Sequence, residues 1–273
     1  MSIDIPDSNS PMYGLTPEHQ CIFSFPKPLG WNSMPLFVKI AYYKTQLDHR
    51  YAPYVDKLEA KHLVSMMCPK VRTARVIRIL KDSNDISEAD ICPEHMLKAT
   101  HGSGWNVLLA KAPSIPKLQT ILAEWSVPYI GSGERQYAHI PPRFFIEEII
   151  DDIYTGKSGQ ARVFMVRCIH GQPVSVGVRQ GNGSTIQNTY TPVFVPQEPL
   201  RFELEKPAQW DAMMEYAATL SRPFEFVRVD FYIGRDSEIY FSEFTFTPAG
   251  GNRVFPMAME HALGRLWTAR RSQ

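Results

Sequence analysis

The chain has 273 residues, 44% of them hydrophobic and 21% charged, and a formal net charge of +1. That length suits one large domain or two small ones sharing a core, and the apolar fraction excludes disordered, collagen-like and fibrous chains. Near-zero charge argues against a protein whose main task is to coat nucleic acid or an anionic membrane.

Residues 1–34 read as an irregular lead-in punctuated by Pro6, Pro11, Pro17, Pro26 and Pro28, and Met1 to Asn9 lacks the basic-then-apolar layout of a secretory signal. From Pro35, the residues Leu36, Ile40, Tyr43 and Leu47 recur at helical spacing. A second helix is expected to start at Asp56, capped by its carboxylate, with Glu59 three places on completing a capping box. Residues 75–80 read as a strand. Residues 96–101 form another, entering the turn Gly102-Ser103-Gly104, with a second apolar run from Val107 to Ala110. Pro116 opens a helix with Leu118, Ile121, Leu122 and Trp125 on its apolar face. A short strand at 143–150 carries the pair Glu147 and Glu148, and 162–169 with 174–179 make a hairpin around His170 to Pro173. A helix at 208–221, two alternating strands at 225–233 and 239–247, and a last helix at 256–269 complete the chain. The mixture predicts an α+β or α/β fold with antiparallel and mixed sheets, and excludes a TIM barrel and a helical bundle.

Cysteine and histidine spacing carries little chemistry. Cys21, Cys68, Cys92 and Cys168 form no CxxC pair, and the eight histidines form no HExxH or HxxxH pair. This suggests reduced thiols, neither a zinc site nor a disulfide scaffold, and a cytoplasmic protein. No apolar run approaches the length of a membrane span.

The most informative segment is 225–247. In its first strand Arg228, Asp230 and Tyr232 share one face, and in its second Glu243, Thr245 and Thr247 do. An even-numbered loop, with Gly234 opposite Ile239, places Asp230 against Glu243 and Arg228 against Thr245. Like charges so opposed repel, and a divalent cation between them reverses the sign; oxygen ligands of this kind suit Mg²⁺, which shares substrate phosphates. An odd register, or two solvent-facing acids beside Arg228, is the other reading of the same residues. A second feature is Lys98 just before Gly102-Ser103-Gly104. Glycines let backbone N–H groups approach phosphate oxygens and a lysine supplies a point charge, although a plain hairpin turn accounts for the same pattern.

In order, these pieces resemble the TupA-like family of the ATP-grasp superfamily. The resemblance runs from about Lys39 to Leu266 through YAPYVDKLEAKHLV, CPEHMLKATHGSGWNVLL, ERQYAHIPPRFFIEEII and FVRVDFY…IYFSEFTFTPAGG; the first and last are also similar to motifs of D-alanine–D-alanine ligases. It implies a reduced lead-in over 1–55 with one helix and an ATP-grasp domain over 56–273, with a small lid unit at about 92–150 and a larger metal-binding unit at about 151–270. It implies ATP and Mg²⁺ as cofactors and assigns roles by position. Lys57 and Lys98 contact phosphates, Gly102, Ser103 and Gly104 form a lid, and Glu147 and Glu148 end the strand that bonds adenine and ribose. Arg162 lies near the phosphates, Asp230 and Glu243 with Thr245 hold the metal, and Arg228 stabilises the transferred group. The implied activity is an ATP-dependent carboxylate–amine ligase working through an acyl phosphate, in surface polysaccharide or peptide assembly. Its partners are a small or saccharide-linked acid and an amine, with no nucleic acid and with homo-oligomerisation left open. A kinase acting on a hydroxyl, or a non-catalytic ATP-binding scaffold, are the alternatives. Two departures from the family pattern bear on them: Thr245 stands where Asn is common in the metal motif, and Gln160 where an acid commonly precedes the basic residue. The loops 181–192 and 248–255, with Arg253, and Arg179 are candidates for the acceptor site. At 273 residues the resemblance further implies a pared-down enzyme whose acceptor site is built from the grasp units or a partner subunit.

Overall fold

The structure, a computed structural model, describes residues 23–129, 133–181 and 184–269. The lead-in before Phe23 and Cys21 lie outside the described residues. Among the described residues ten strands form two sheets. In chain order the elements are α1 (Leu36–Lys44), α2 (Ala52–Val55), α3 (Lys57–Met67), β1 (Arg72–Thr73), β2 (Val76–Leu80), β3 (His95–Ala99) and β4 (Asn106–Leu108). After these come α4 (Ile115–Glu124), β5 (Phe144–Glu148), β6 (Val163–Ile169), β7 (Gln172–Arg179) and β8 (Gln187–Tyr190). The last are α5 (Trp210–Ser221), β9 (Phe226–Ile233), β10 (Ile239–Thr245) and α6 (Met257–Leu266).

The larger sheet has the order β1-β10-β9-β6-β7-β8, antiparallel except where β1 joins β10 in parallel. The smaller has the order β2-β5-β3-β4 and is antiparallel throughout. Alternation explains how each sheet divides its side chains. In the smaller sheet Leu97, Ala99, Phe144 and Ile146 bury one face against Leu118 and Leu122 of α4. Met96, Lys98, Phe145 and Glu147 lie on the other. In the larger sheet Val227, Val229, Phe231, Phe164 and Val166 enter the main core beside Trp210, Met213 and Ala217 of α5. Residues 23–55 pack into that same core: Phe23, Trp31, Tyr43 and Tyr51 are all buried, and Tyr43 and Trp31 each meet Trp267 edge-to-face.

Asp56 caps α3, accepting from the N–H groups of Leu58 (2.9 Å) and Glu59 (3.1 Å). The reciprocal half of the expected capping box does not form. The Asp56 N–H is already donated to the Ala52 carbonyl (2.9 Å) as α2 closes, so Glu59 instead accepts from Arg143 (3.1 Å).

The register of the last hairpin departs from the even-loop expectation twice, and the departures cancel. Ile239 pairs with Ile233, which makes a five-residue connection. A bulge between Phe241 and Glu243 then adds one residue on β10, Ser242. The result is Glu243 opposite Asp230 and Thr245 opposite Arg228, with Phe241 and Phe244 both turned into the core, their rings 4.8 Å apart.

Candidate active site between the two sheets

The polar faces of the two sheets meet in a cleft. One part of it, about 390 Å³ including space open to solvent, is lined by Met96, Lys98 and Glu147 from the small sheet, Tyr232 from the large one, and Gly159 and Ala161 from the connection between them. A neighbouring pocket of about 250 Å³ is lined by Lys57, Tyr137, Ser242 and Glu243.

On the small-sheet wall, Glu147 is buried between two lysines. It forms a salt bridge with Lys98 and another with Lys61 at 2.9 Å. Burial alone raises a carboxyl pKa, but Lys98 and Lys61 outweigh it and hold Glu147 below its ordinary value. Burial likewise works against the Lys98 ammonium, and Glu147 more than offsets it, so that Lys98 titrates above the usual lysine range. Glu148, next in the strand, is half-buried, also lines this part of the cleft and is paired with Arg75. Lys61 is a site residue that the sequence motifs did not single out. Its signal is nevertheless present, since Lys57 and Lys61 are four apart on one face of α3.

Lys57 opens α3. Its amide donates to the Thr100 carbonyl at 3.0 Å and its ammonium to the Gly102 carbonyl at 2.7 Å, tying the glycine turn to the helix. Burial pushes the Lys57 pKa down to about 8; Glu243 across the cleft opposes this and Lys98 adds to it. Gly102 has φ 81° and lies against Tyr129, where a Cβ would come within 2.7 Å of the ring. Gly104 also has positive φ, 74°, but faces open space, and Ser103 between them is exposed.

On the large-sheet wall, Arg228 gathers the other polar residues. Its Nε donates to Asp230 Oδ1 (2.7 Å), and its Nη2 donates to Asp230 Oδ2 (2.5 Å) and to Thr245 Oγ1 (3.0 Å), with Glu243 Oε1 at 3.5 Å. Thr245 in turn donates to Glu243 Oε1 at 3.2 Å. Burial and the adjacent Glu243 raise the Asp230 pKa, against the opposing pull of Arg228. The repulsion expected between Asp230 and Glu243 is thus relieved by a guanidinium. Among the described residues no cluster of three or more His, Cys, Asp or Glu side chains could by itself hold a metal. Two carboxylates and a hydroxyl nevertheless fit a hard cation that takes its remaining ligands from phosphates and water. Asp230 offers both oxygens once Arg228 moves off, and Glu243 is already half exposed.

Arg162 stands apart from both clusters. Its guanidinium stacks over Tyr154, 4.2 Å from the ring centroid, and lies 5.1 Å from the Phe202 centroid. Arg167, which no sequence motif marked, is in β6 directly opposite Arg228 and shares its face.

Two gripping sheets, a glycine turn tied to a lysine and an acid pair on the last hairpin define the ATP-grasp fold. The chain belongs to the TupA-like ATP-grasp family, whose model matches residues 38–268. No curated protein matches it. Among solved structures it is similar to an L-amino acid ligase from Bacillus licheniformis, at 11% identity over 72% of this chain and 44% of that one, TM-score 0.46. It is also similar to N5-carboxyaminoimidazole synthetase from Staphylococcus aureus, at 12% identity over 80% and 52%, TM-score 0.46. A third is D-alanine–D-alanine ligase from Bacillus anthracis complexed with ATP, at 12% identity over 71% and 54%, TM-score 0.42. The chain spans about half the length of these structures. Among the described residues no helix is long and apolar enough to cross a membrane.

Proposed function

We propose that the protein is an ATP-dependent carboxylate–amine ligase acting in surface polysaccharide or peptide assembly, with ATP held between the two sheets. The observation that carries this reading is the facing of two walls: Lys57, Lys61 and Lys98 on one, Arg228, Asp230 and Glu243 on the other. A nucleotide triphosphate matches that charge pattern, because its phosphates need cations from one side and a shared metal from the other.

In this reading Lys57 and Lys98 bind phosphate oxygens, and Glu147 keeps the adjacent lysines charged and in place. The Gly102–Gly104 turn closes over the phosphates, which excludes water from a hydrolysable intermediate. Glu148, at the end of β5, is available to the nucleotide's sugar, and Arg162 joins the phosphates by leaving its stack on Tyr154. Mg²⁺ held by Asp230 and Glu243, with Thr245 beside them, would supply charge neutralisation at the transferred phosphoryl group. The substrate carboxylate oxygen attacks the γ-phosphorus as the bond to the β-phosphate oxygen breaks and ADP leaves. The amine nitrogen then attacks the acyl carbon, loses a proton and expels phosphate. Arg228, released from Asp230, faces the charge that develops in both steps.

The test is purified protein with ATP, Mg²⁺, hydroxylamine and a panel of candidate acids. Acid-dependent ADP release together with a hydroxamate is expected. A stable phosphorylated product without an amine requirement would make the protein a kinase, and tight ATP binding without ADP formation would make it a scaffold.

A further inference from the structure

Arg167 is a cation in the wrong place for a structural residue. It lies in the middle of β6, a strand whose every residue is buried, and is itself only 4% exposed. Its Nη1 is buried without a hydrogen-bond partner among the described residues. It sits directly opposite Arg228 on the neighbouring strand and on the same face. Like charges so placed destabilise a sheet unless an anion lies between them. The acids that influence it are committed elsewhere. Both oxygens of Asp230 accept from Arg228, and the carboxylate of Glu260 accepts from the amides of Phe37, Val254 and Phe255. Arg179 adds a further positive charge nearby, and the aromatic support comes from Phe255, whose ring centroid is 4.7 Å from the guanidinium carbon. A buried guanidinium that feels Asp230 and Glu260 but forms no ion pair of its own is a costly arrangement. Such a cost is characteristic of a position kept for a ligand.

We propose that Arg167 binds the carboxylate of the acid substrate, clamping it together with Arg228. A planar guanidinium presents paired N–H donors that match a carboxylate. One strand away from Arg228, it holds the acid beside the residue that meets the developing charge. Arg167 is then a substrate-binding residue, its guanidinium held against the Phe255 ring. The inference rests on the ligase reading above.

The experiment measures binding of acetate, malonate and succinate to the full chain by calorimetry, with and without a non-hydrolysable ATP analogue and Mg²⁺. Parallel titrations use Arg167→Met and Arg167→Lys. At least one of the three carboxylates is expected to bind the wild type, at least tenfold more weakly to Arg167→Met, and measurably more weakly to Arg167→Lys, which keeps the charge but loses the planar fork. Affinity for the ATP analogue is expected to stay within twofold in both variants. Equal carboxylate binding by wild type and Arg167→Met, or no binding of any of the three to the wild type, overturns the proposal. So does inorganic phosphate binding the same site more tightly than every carboxylate. If Arg167→Met does not fold, Arg167→Lys decides: unchanged carboxylate affinity in it overturns the proposal. Failure of the wild type to bind the ATP analogue would instead overturn the ligase reading, while carboxylate binding measured without nucleotide still decides the role of Arg167.

Discussion

Glu147→Gln is the most discriminating single substitution on the small-sheet wall. The change is nearly isosteric, so its effect isolates charge. Glu147 is 5% exposed and serves Lys98 and Lys61 together, and the two lysine side chains are 23% and 15% exposed. Removing one member of a buried pair typically costs about 3–5 kcal/mol, because the other charge stays behind unpaired. Here two ammonium groups are left, both able to turn partly toward the cleft, so the lower end applies: about 3 kcal/mol. For a protein of this size that corresponds to a drop in Tm of roughly 6–12 °C. The sign with pH follows. Glu147 titrates below its ordinary value when folded, so its contribution is fully present above the unfolded pKa and is lost as pH falls through the folded one. The deficit of the variant should therefore be full at pH 7 and shrink under acid. The assay is urea unfolding with and without a saturating ATP analogue. If phosphates sit on these lysines, the analogue supplies the missing negative charge and stabilises Glu147→Gln more than wild type. A variant within about 1 kcal/mol of wild type, or one gaining less from the analogue than wild type does, would refute the charge argument.

Four further outcomes are expected. Affinity for the ATP analogue should fall as pH rises from 7 to 9, since Lys57 titrates near 8 and binds phosphate only when charged; a flat profile in wild type, or the same slope in Lys57→Met, would remove Lys57 from the phosphates. Without nucleotide the sign reverses: the folded Lys57 pKa lies below the unfolded one, so relative to Lys57→Met the wild type should gain stability as pH rises through 8 toward 10. Asp230→Asn should cut acid-dependent ADP release by at least about a hundredfold, the scale of losing one electrostatic group at a reacting centre; activity within threefold of wild type would exclude Asp230 as a metal ligand. Gly251→Ala should cost at least about 2 kcal/mol in urea unfolding, because φ is 86° and the new Cβ would lie 2.9 Å from the Ala41 Cα, which is backbone and cannot swing aside; a loss under about 0.5 kcal/mol would contradict this.

Period-two alternation makes most of the site legible in the amino-acid sequence. Arg228, Asp230 and Tyr232 share a face because a strand allows nothing else, and the pairing of Asp230 with Glu243 follows from one assumption about register. That assumption reaches the right pairs by the wrong route. The five-residue connection shifts the register by one and the Ser242 bulge shifts it back. A pointer is present in the sequence: Phe241 and Phe244 are three apart, and strict alternation cannot bury both. Strand pattern also exposes Arg167, the one formal charge within β6, which can be matched to Arg228. Other features depend on tertiary competition that pattern does not encode. Glu59 loses its capping role because α2 takes the Asp56 amide first. Arg162 stacks on Tyr154 and Phe202, the latter forty residues away in a segment without regular structure. Glu147 and Glu148 read as an equivalent pair, yet alternation sends one to the lysines and the other to Arg75.

The near-zero net charge of the chain conceals a local imbalance. Lys57, Lys61, Lys98, Arg167 and Arg228 bring five cations to the two walls, against Glu147, Asp230 and Glu243, the fourth carboxylate of the cleft, Glu148, being taken up by Arg75. The charges are shared unevenly: Glu147 serves two lysines, Asp230 and Glu243 meet on a single guanidinium, and Arg167 makes no ion pair. Carboxylates are the scarce charge in the cleft. Substituting Glu147 leaves two cations uncompensated, so Glu147→Gln should lower stability more than a lysine-to-methionine change at Lys61 or Lys98. The same scarcity gives an incoming polyanion its advantage. It meets ammonium and guanidinium groups already dehydrated and held in place, and it supplies charge that the folded chain itself does not provide.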